Sequence, residues 1–273
     1  MALVNGSGAA TDTPAGTPLI GYDNVVTVSN ITSSTEDSDA LHPITNVANP
    51  ATHTSWRGGV NTGSEVIDIT AGGGTTIDYV GIAGHNLGSQ QIPVTIQDVG
   101  VSPAVTLVAS TLLTDDEPTI FRFAPSAYTT IRVTLNLSNL DAGDAPEIAV
   151  LYCGKLLILE RGIKVDVAHV PITYGRKTSV INGMSESGNF LGRIVLSESR
   201  QSKAEFFGFT PTFFRTYVDP FLDAAQEAPF FWAWAPSAYP LETGFAWLTS
   251  NPQPEVSPDT LRVALTLDMS GIA

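Results

Sequence analysis

Residues 65–88 read EVIDITAGGGTTIDYVGIAGHNLG, and this stretch decides the fold class. The segment 65–70 alternates, with Val66 and Ile67 followed by Ile69, the period of a strand rather than a helix. AGGGT at 71–75 is a turn that only glycines tolerate. IDYVGIA at 77–83 is a second, more continuously apolar run, suited to a buried strand. Moving outward, residues 25–31, 92–97, 105–109, 119–123, 130–137 and 147–152 repeat the pattern, with a polar loop at 32–39. Roughly eight short strands at close spacing, with no helical period between them, predict a β-sandwich or jelly roll over 25–153.

Beyond Gly154 the text changes. Residues 156–159 and 164–172 read as strands, and 178–192 as a Ser/Gly/Asn-rich loop long enough to be an interaction loop or arm. Residues 193–199 and 204–207 suggest a hairpin. Thr210 then stands as an N-cap before Pro211, and Phe214, Tyr217, Phe221 and Ala225 recur at steps of three and four. These predict a helix near 211–227, kinked or divided by Pro220. Strands at 229–235, 243–248 and 261–269 complete a mainly β unit over 154–273 carrying one helix. Residues 1–24 open with a Gly/Ala/Thr/Pro-rich segment, which predicts a flexible N-terminal arm ordered only against a partner.

At 273 residues, with 43% hydrophobic and 15% charged, the chain is long and apolar enough for one large or two ordinary cores. The net charge of −14 argues against nucleic acid as a partner. It is unevenly spread: up to Val150 three arginines face fifteen acids, whereas from Leu151 ten basic residues face twelve. The front half therefore reads as widely solvated and the back half as able to sit against neighbours. Cys153 is the only cysteine and lies in an apolar run, so it reads as a buried inert thiol, with no intrachain disulfide and no cysteine zinc site. No apolar run approaches the ~20 residues that span a bilayer, and residues 1–18 lack signal-peptide features, so no membrane insertion is expected.

Enzyme motifs are not found. GMSESG at 183–188 is not the five-residue nucleophile elbow, and GRKTS at 175–179 lacks the first glycine and spacing of a phosphate loop. His42, His53, His85 and His169 form no i, i+3 or i+4 pair. Asp115, Asp116 and Glu117 are either a solvated turn or a weak Ca²⁺ site, which leaves calcium as the one open cofactor. No catalytic residue is assigned, and the chain reads as non-enzymatic.

Two stretches carry a resemblance. NPATHTSW (49–56), VIDIT (66–70) and IDYVGIAGHNLG (77–88), in that order, resemble the galactose-binding-like, or discoidin-type, jelly roll. GNFLGRIVLS (188–197), FFRTYVDPFLDAAQEAPFFWAWAP (213–236) and GFAWL (244–248) resemble the back half of phage tail proteins near the distal end of the tail tube. The resemblance implies a virion structural protein of the tail tip or baseplate, a distal or minor tail protein, assembled in the host cytoplasm. Its implied partners are copies of itself in a ring, the tail tube, and hub or fibre proteins. The discoidin likeness also implies glycan binding, either at the host surface or as a stand-alone carbohydrate-binding module. The candidate ligand residues are Trp56, to stack on a sugar, Arg57, to donate to its hydroxyls, and His85 and Asn86 on the loop after a strand. Two have a plain structural alternative: Trp56 as a core lid, and Asn86 as a turn residue. Phe230, Phe231, Trp232 and Trp234 pose one more question. Alternation sends Phe231 to the face opposite Trp232 and Trp234, so either this chain or a neighbouring subunit covers it.

Overall fold

The computed structural model describes residues 3–9, 16–164 and 166–273. It is mainly β, with a sandwich in the front half and a β unit carrying one helix behind it. The outer sheet of the sandwich orders its strands Ile31–Ser33, Ser64–Thr70, Thr130–Asn136, Val94–Asp98 and Val105–Thr111. The middle sheet orders Leu3–Asn5, Thr119–Ser126, Ile77–His85, Glu147–Gly154 and Trp56–Arg57. A third, eight-stranded back sheet follows the path Leu157–Ile158, Leu19–Gly21, Phe230–Ala233, Thr243–Leu248, Val263–Ile272, Phe190–Phe209 and Arg176–Met184, with Glu255–Val256 paired to its fifth strand. The helix 211–227 lies on the far side of that sheet, so the layers run outer sheet, middle sheet, back sheet, helix.

The middle sheet explains why 77–83 and 147–154 read as apolar runs. Both of its faces are covered, so neighbouring side chains are buried on opposite sides. Ile77, Val80, Ile82, Phe121, Leu151 and Cys153 face the sandwich core with Ile67, Ile69, Ile96 and Val133. Tyr79, Ala83, Ile120, Val150 and Tyr152 face the back sheet, against Leu19, Phe231, Ala233 and Phe245. Phe231 is therefore covered within the chain. Its ring lies 5.5 Å from that of Tyr152 and 5.0 Å from that of Phe245, and a Cβ at Gly81 would stand 2.6 Å from it. Only a glycine permits this approach. Phe230 and Trp232 point to the other side, into the helix-side core.

Several expectations need correction. The segment 1–24 is not a loose arm where it is described: Leu3–Asn5 pairs in parallel with 120–122 in the middle sheet, and Leu19–Gly21 is an interior strand of the back sheet. Leu19 and Ile20 are fully buried, so the apolar pair inside a Gly/Pro-rich text outweighs its loop composition. Residues 1, 2 and 10–15 of that segment lie outside the described residues. Residues 25–30 form no strand, although Val26 still packs into the sandwich core. The expected strand 164–172 is irregular where described, and Val165 lies outside the described residues.

The helix forms where expected, and the Thr210 hydroxyl caps the Phe213 N–H at 3.2 Å. As expected, the helix is divided at Pro220, which stands in the first turn of its second part, Asp219–Glu227. A π-turn over Phe214–Val218 precedes the proline, with the Asp219 N–H donating to the Phe214 carbonyl. The wider turn absorbs the donor that proline lacks, and the buried stripe runs Phe214, Val218, Phe221 and Ala225. Val218 takes the place expected of Tyr217, which is left 48% exposed.

The largest difference concerns 178–192, expected as a loop. Arg176–Met184 and Phe190–Phe209 pair into a long antiparallel ribbon. The chain turns over 185–189, where the Ser185 N–H donates to the Asn189 carbonyl and the Ser185 hydroxyl accepts from the Asn189 N–H. The expected hairpin of 193–199 with 204–207 does not exist. Those residues are one strand, whose second part, 200–209, pairs with Val263–Ile272.

Candidate functional site

The sequence placed a ligand site around Trp56, Arg57, His85 and Asn86, and the structure separates these residues by role. Trp56 and Arg57 form a two-residue edge strand against Glu147 and Ile148. Alternation sends Trp56 inward, where it is fully buried in the sandwich core. No sugar face reaches that ring, so the core-lid reading replaces the stacking one. Arg57 points outward. Its Nε lies 3.4 Å from Asp37 Oδ2 and 3.5 Å from Glu147 Oε1, ion pairs rather than aligned hydrogen bonds. The Asp39 N–H, and after it the Arg57 charge, hold the Asp37 carboxyl below its ordinary range. Around this group the loops at the end of the sandwich leave an open polar depression of about 460 Å³, whose lining includes Glu36, Asp37, Arg57, Asn61 and Asp144.

His85 and Asn86 do not line that depression; both tie loops together. His85 is buried, its Nδ1 accepts the Leu87 N–H at 3.3 Å, and Nε2 therefore donates to the Glu117 carbonyl at 3.0 Å. Burial lowers its pKa and keeps the ring neutral. Asn86 donates from Nδ2 to the Ala145 carbonyl at 2.8 Å and accepts the Glu147 N–H on Oδ1 at 2.8 Å. These are turn-bracing contacts: His85 is withdrawn from solvent, whereas Asn86 keeps partial exposure.

The acidic triplet is used in the same way. Asp116 Oδ1 accepts the N–H groups of Gly88 and Ser89, both at 2.9 Å. Asp115 accepts the Thr114 hydroxyl at 2.8 Å and the Glu117 N–H at 3.3 Å. Among the described residues no three His, Cys, Asp or Glu side chains converge as a metal site, so the calcium reading of Asp115, Asp116 and Glu117 gains no geometry. Ser185 bonds to Ser187 at 2.8 Å and to Asn189. Cys153 is fully buried, which pushes its thiol pKa up and leaves it unreactive.

The feature the sequence reading passed over is the surface of the ribbon. Ile181, Met184, Phe190, Leu191, Ile194, Val195 and Leu196 are each at least half exposed. Val180 opposes Val195, and Met184 opposes Phe190, on one face; Ile181 opposes Ile194 on the other. Arg193, anchored to Asn182 Oδ1 at 2.9 Å, lies between them, and Arg176, Lys177 and Arg200 stand at the base. The usable signal was FLGRIVL at 190–196, too apolar for a solvated loop.

No protein-family model matches the chain, and no curated protein matches it. Solved structures similar to it are sandwiches matched over about half its length. Chitosan-binding module 1 of a chitosanase/glucanase from Paenibacillus sp. IK-5 is 14% identical with a TM-score of 0.42, over 49% of this chain and 99% of that one. CpGH89CBM32-5 from Clostridium perfringens, in complex with GalNAc-β-1,3-galactose, is 11% identical with a TM-score of 0.39, over 46% and 94%. CBM32 of AlyQ, in complex with 4,5-unsaturated mannuronic acid, is 18% identical with a TM-score of 0.36, over 52% and 98%. Likenesses this distant do not decide what this chain binds.

Proposed function

We infer that the chain is a non-enzymatic assembly protein whose back unit binds other protein through the ribbon 176–200, and that it belongs to the distal tip of a phage tail. The observation that carries the reading is the ribbon itself: seven large apolar side chains stand in water on a two-stranded element with no core of its own. An isolated two-stranded hairpin is marginal in water, and exposed apolar strands invite unwanted pairing, so a partner surface is the physical reason to keep one. The text at 188–197, 213–236 and 244–248 that resembles distal tail proteins lies in this same unit and supports the placement. Gold-labelled antibodies against the chain, imaged on intact particles, test it. Label confined to the distal end of the tail is expected, and virions that contain no such chain would overturn the placement.

A second reading rests on a different observation, the polar depression at the loop end of the sandwich. Arg57, with Asp37, Glu36, Asn61 and Asp144, presents donors and acceptors of the kind that engage paired sugar hydroxyls. Under this reading the sandwich is a carbohydrate-binding module. Calorimetric titration with host surface polysaccharide tests it: Arg57→Ala loses at least tenfold in affinity while Trp56→Phe, a core change, retains it. Equal affinity in wild type and Arg57→Ala would remove this role.

A further inference from the structure

We propose that the groove between the helix and the Leu157–Ile158 edge of the back sheet binds a small zwitterion, an α-amino acid with an apolar side chain. The proposal depends neither on the assembly reading nor on the polar depression around Arg57.

The groove holds about 460 Å³. Tyr22 and Ile158 line it from the back sheet, and Phe213 and Tyr217 from the helix. Each tyrosine is backed by another ring. Tyr22 meets Phe221 edge-on at 5.4 Å, Tyr217 packs 5.1 Å from Phe213, and Phe213 stacks on Phe209 at 6.0 Å. The aromatic walls are therefore set before any ligand arrives. Among the lining residues only Asp23 and Lys155 carry a charge, and the backbone that presents them is fixed. The Asp23 carbonyl accepts the Tyr79 hydroxyl at 2.7 Å, and a Cβ at Gly154 would collide with that same carbonyl. The Leu156 N–H donates to Asp78 Oδ1 at 2.7 Å, which ties down the residue after Lys155.

These two charges select the occupant. Asp23 Oδ2 accepts the Lys155 N–H at 3.3 Å, while Oδ1 has no hydrogen bond among the described residues. Among those residues neither Asp23 nor Lys155 belongs to an ion pair, so acid and base share one groove without closing on each other. Burial raises the Asp23 pKa, and the Lys155 N–H and charge only partly offset it. The carboxylate is thus short of a cation. A ligand that brings an ammonium to Asp23 and an anion to Lys155 satisfies both groups. The aromatic rings of the same groove attract a cation as well. A neutral sugar would find one carboxylate, one ammonium and two tyrosine hydroxyls for its many hydroxyls, against walls that are otherwise apolar. An α-amino acid carries both charges on one carbon and offers those walls an apolar side chain.

NMR titration of the isotope-labelled full chain with phenylalanine, leucine and methionine tests this. Saturable shifts are expected at the backbone amides of Asp23, Lys155 and Tyr217. N-acetylphenylalanine lacks the cation and phenylalaninamide lacks the anion, and each should bind at least tenfold more weakly than phenylalanine. Asp23→Asn and Lys155→Met should each weaken phenylalanine by the same factor. Both variants should fold, because Asn keeps an acceptor for the Lys155 N–H and Lys155 is exposed; circular dichroism verifies it. The decisive arm combines ligand and protein changes. Asp23→Asn should cost N-acetylphenylalanine little further, because the group that Asp23 meets is already gone. Absence of saturable shifts with all three amino acids overturns the proposal. So does equal affinity for phenylalanine, its amide and its N-acetyl form. Galactose that saturates the same amides more tightly than the amino acids would overturn it in favour of a sugar site.

Discussion

The strand Ile77–His85 and the ribbon strand Arg176–Met184 have the same length of nine residues and opposite fates. In the first every residue but Gly84 is buried; in the second every residue but Val180 is exposed. Both contain apolar residues on both faces. The difference is what lies across from those faces: two sheets for Ile77–His85, and only its own ribbon partner for Arg176–Met184. Apolar content alone therefore does not separate a central strand from an interaction strand. The first is held by contacts already made, and the second keeps its apolar surface available to a partner.

Truncations in the middle layer should break that contrast most severely. Phe231→Ala removes a fully buried ring packed on Tyr152, Phe245 and the bare backbone of Gly81, so a loss of about 3–5 kcal/mol is expected in denaturant unfolding. Because this ring lies between the middle and back sheets, the loss should appear in the unfolding of both units. Unfolding of the sandwich at unchanged denaturant midpoint would show that the two units do not stabilise one another. Trp56→Ala is expected to cost a similar ~3–5 kcal/mol, and any effect on saccharide binding would then follow from unfolding.

A titration sharpens the contrast further. Asp78, on the same buried strand, accepts the Leu156 N–H at 2.7 Å, and burial raises its pKa to about 6 despite that bond and the nearby Arg122 and Lys155 charges. For an acid raised in the folded state, protonation favours folding. This contribution is present below the unfolded pKa of about 4 and is lost as pH rises through about 6. Relative to Asp78→Asn, wild type should lose on the order of 2 kcal/mol of stability between pH 4 and pH 6.5. Parallel stability profiles for the two proteins across that window would show that the carboxyl is not desolvated.

Much of the fold was legible because it rests on local pattern. The alternation of 65–70, the glycine turn at 71–75, the Thr210–Pro211 helix start and the apolar runs of the middle sheet each follow from short-range rules. Three things were not legible, and all depend on distant residues. Leu19–Gly21 becomes a strand only because Phe230–Ala233 and Leu157–Ile158 flank it. The π-turn over Phe214–Val218 stands just before Pro220 and its missing N–H, and periodicity counted at 3.6 residues per turn cannot register it. The ribbon hides behind Ser, Gly and Asn, whose loop preference is overridden by cross-strand pairs such as Ile181–Ile194. Of the candidate site, Trp56 and His85 are buried, and only Arg57 and Asn86 keep partial exposure. Trp56, His85 and Asn86 looked like ligand residues because the chemistry that binds a sugar is also the chemistry that closes a loop.

The smallest expected effect is the most informative about the ribbon. Ile194→Ala removes as much apolar side chain as many core truncations, yet Ile194 is 63% exposed in the monomer and its one cross-strand partner, Ile181, is 53% exposed. Little area returns to water, so the monomer should change by no more than about 0.5 kcal/mol in denaturant unfolding at low protein concentration. At high concentration the same substitution should lower the apparent stability of the wild-type assembly, because a partner that binds only the folded state adds to it by mass action. A loss near 2 kcal/mol that is independent of concentration would mean that the ribbon is part of the folding core, and its apolar surface would then need no partner to explain it.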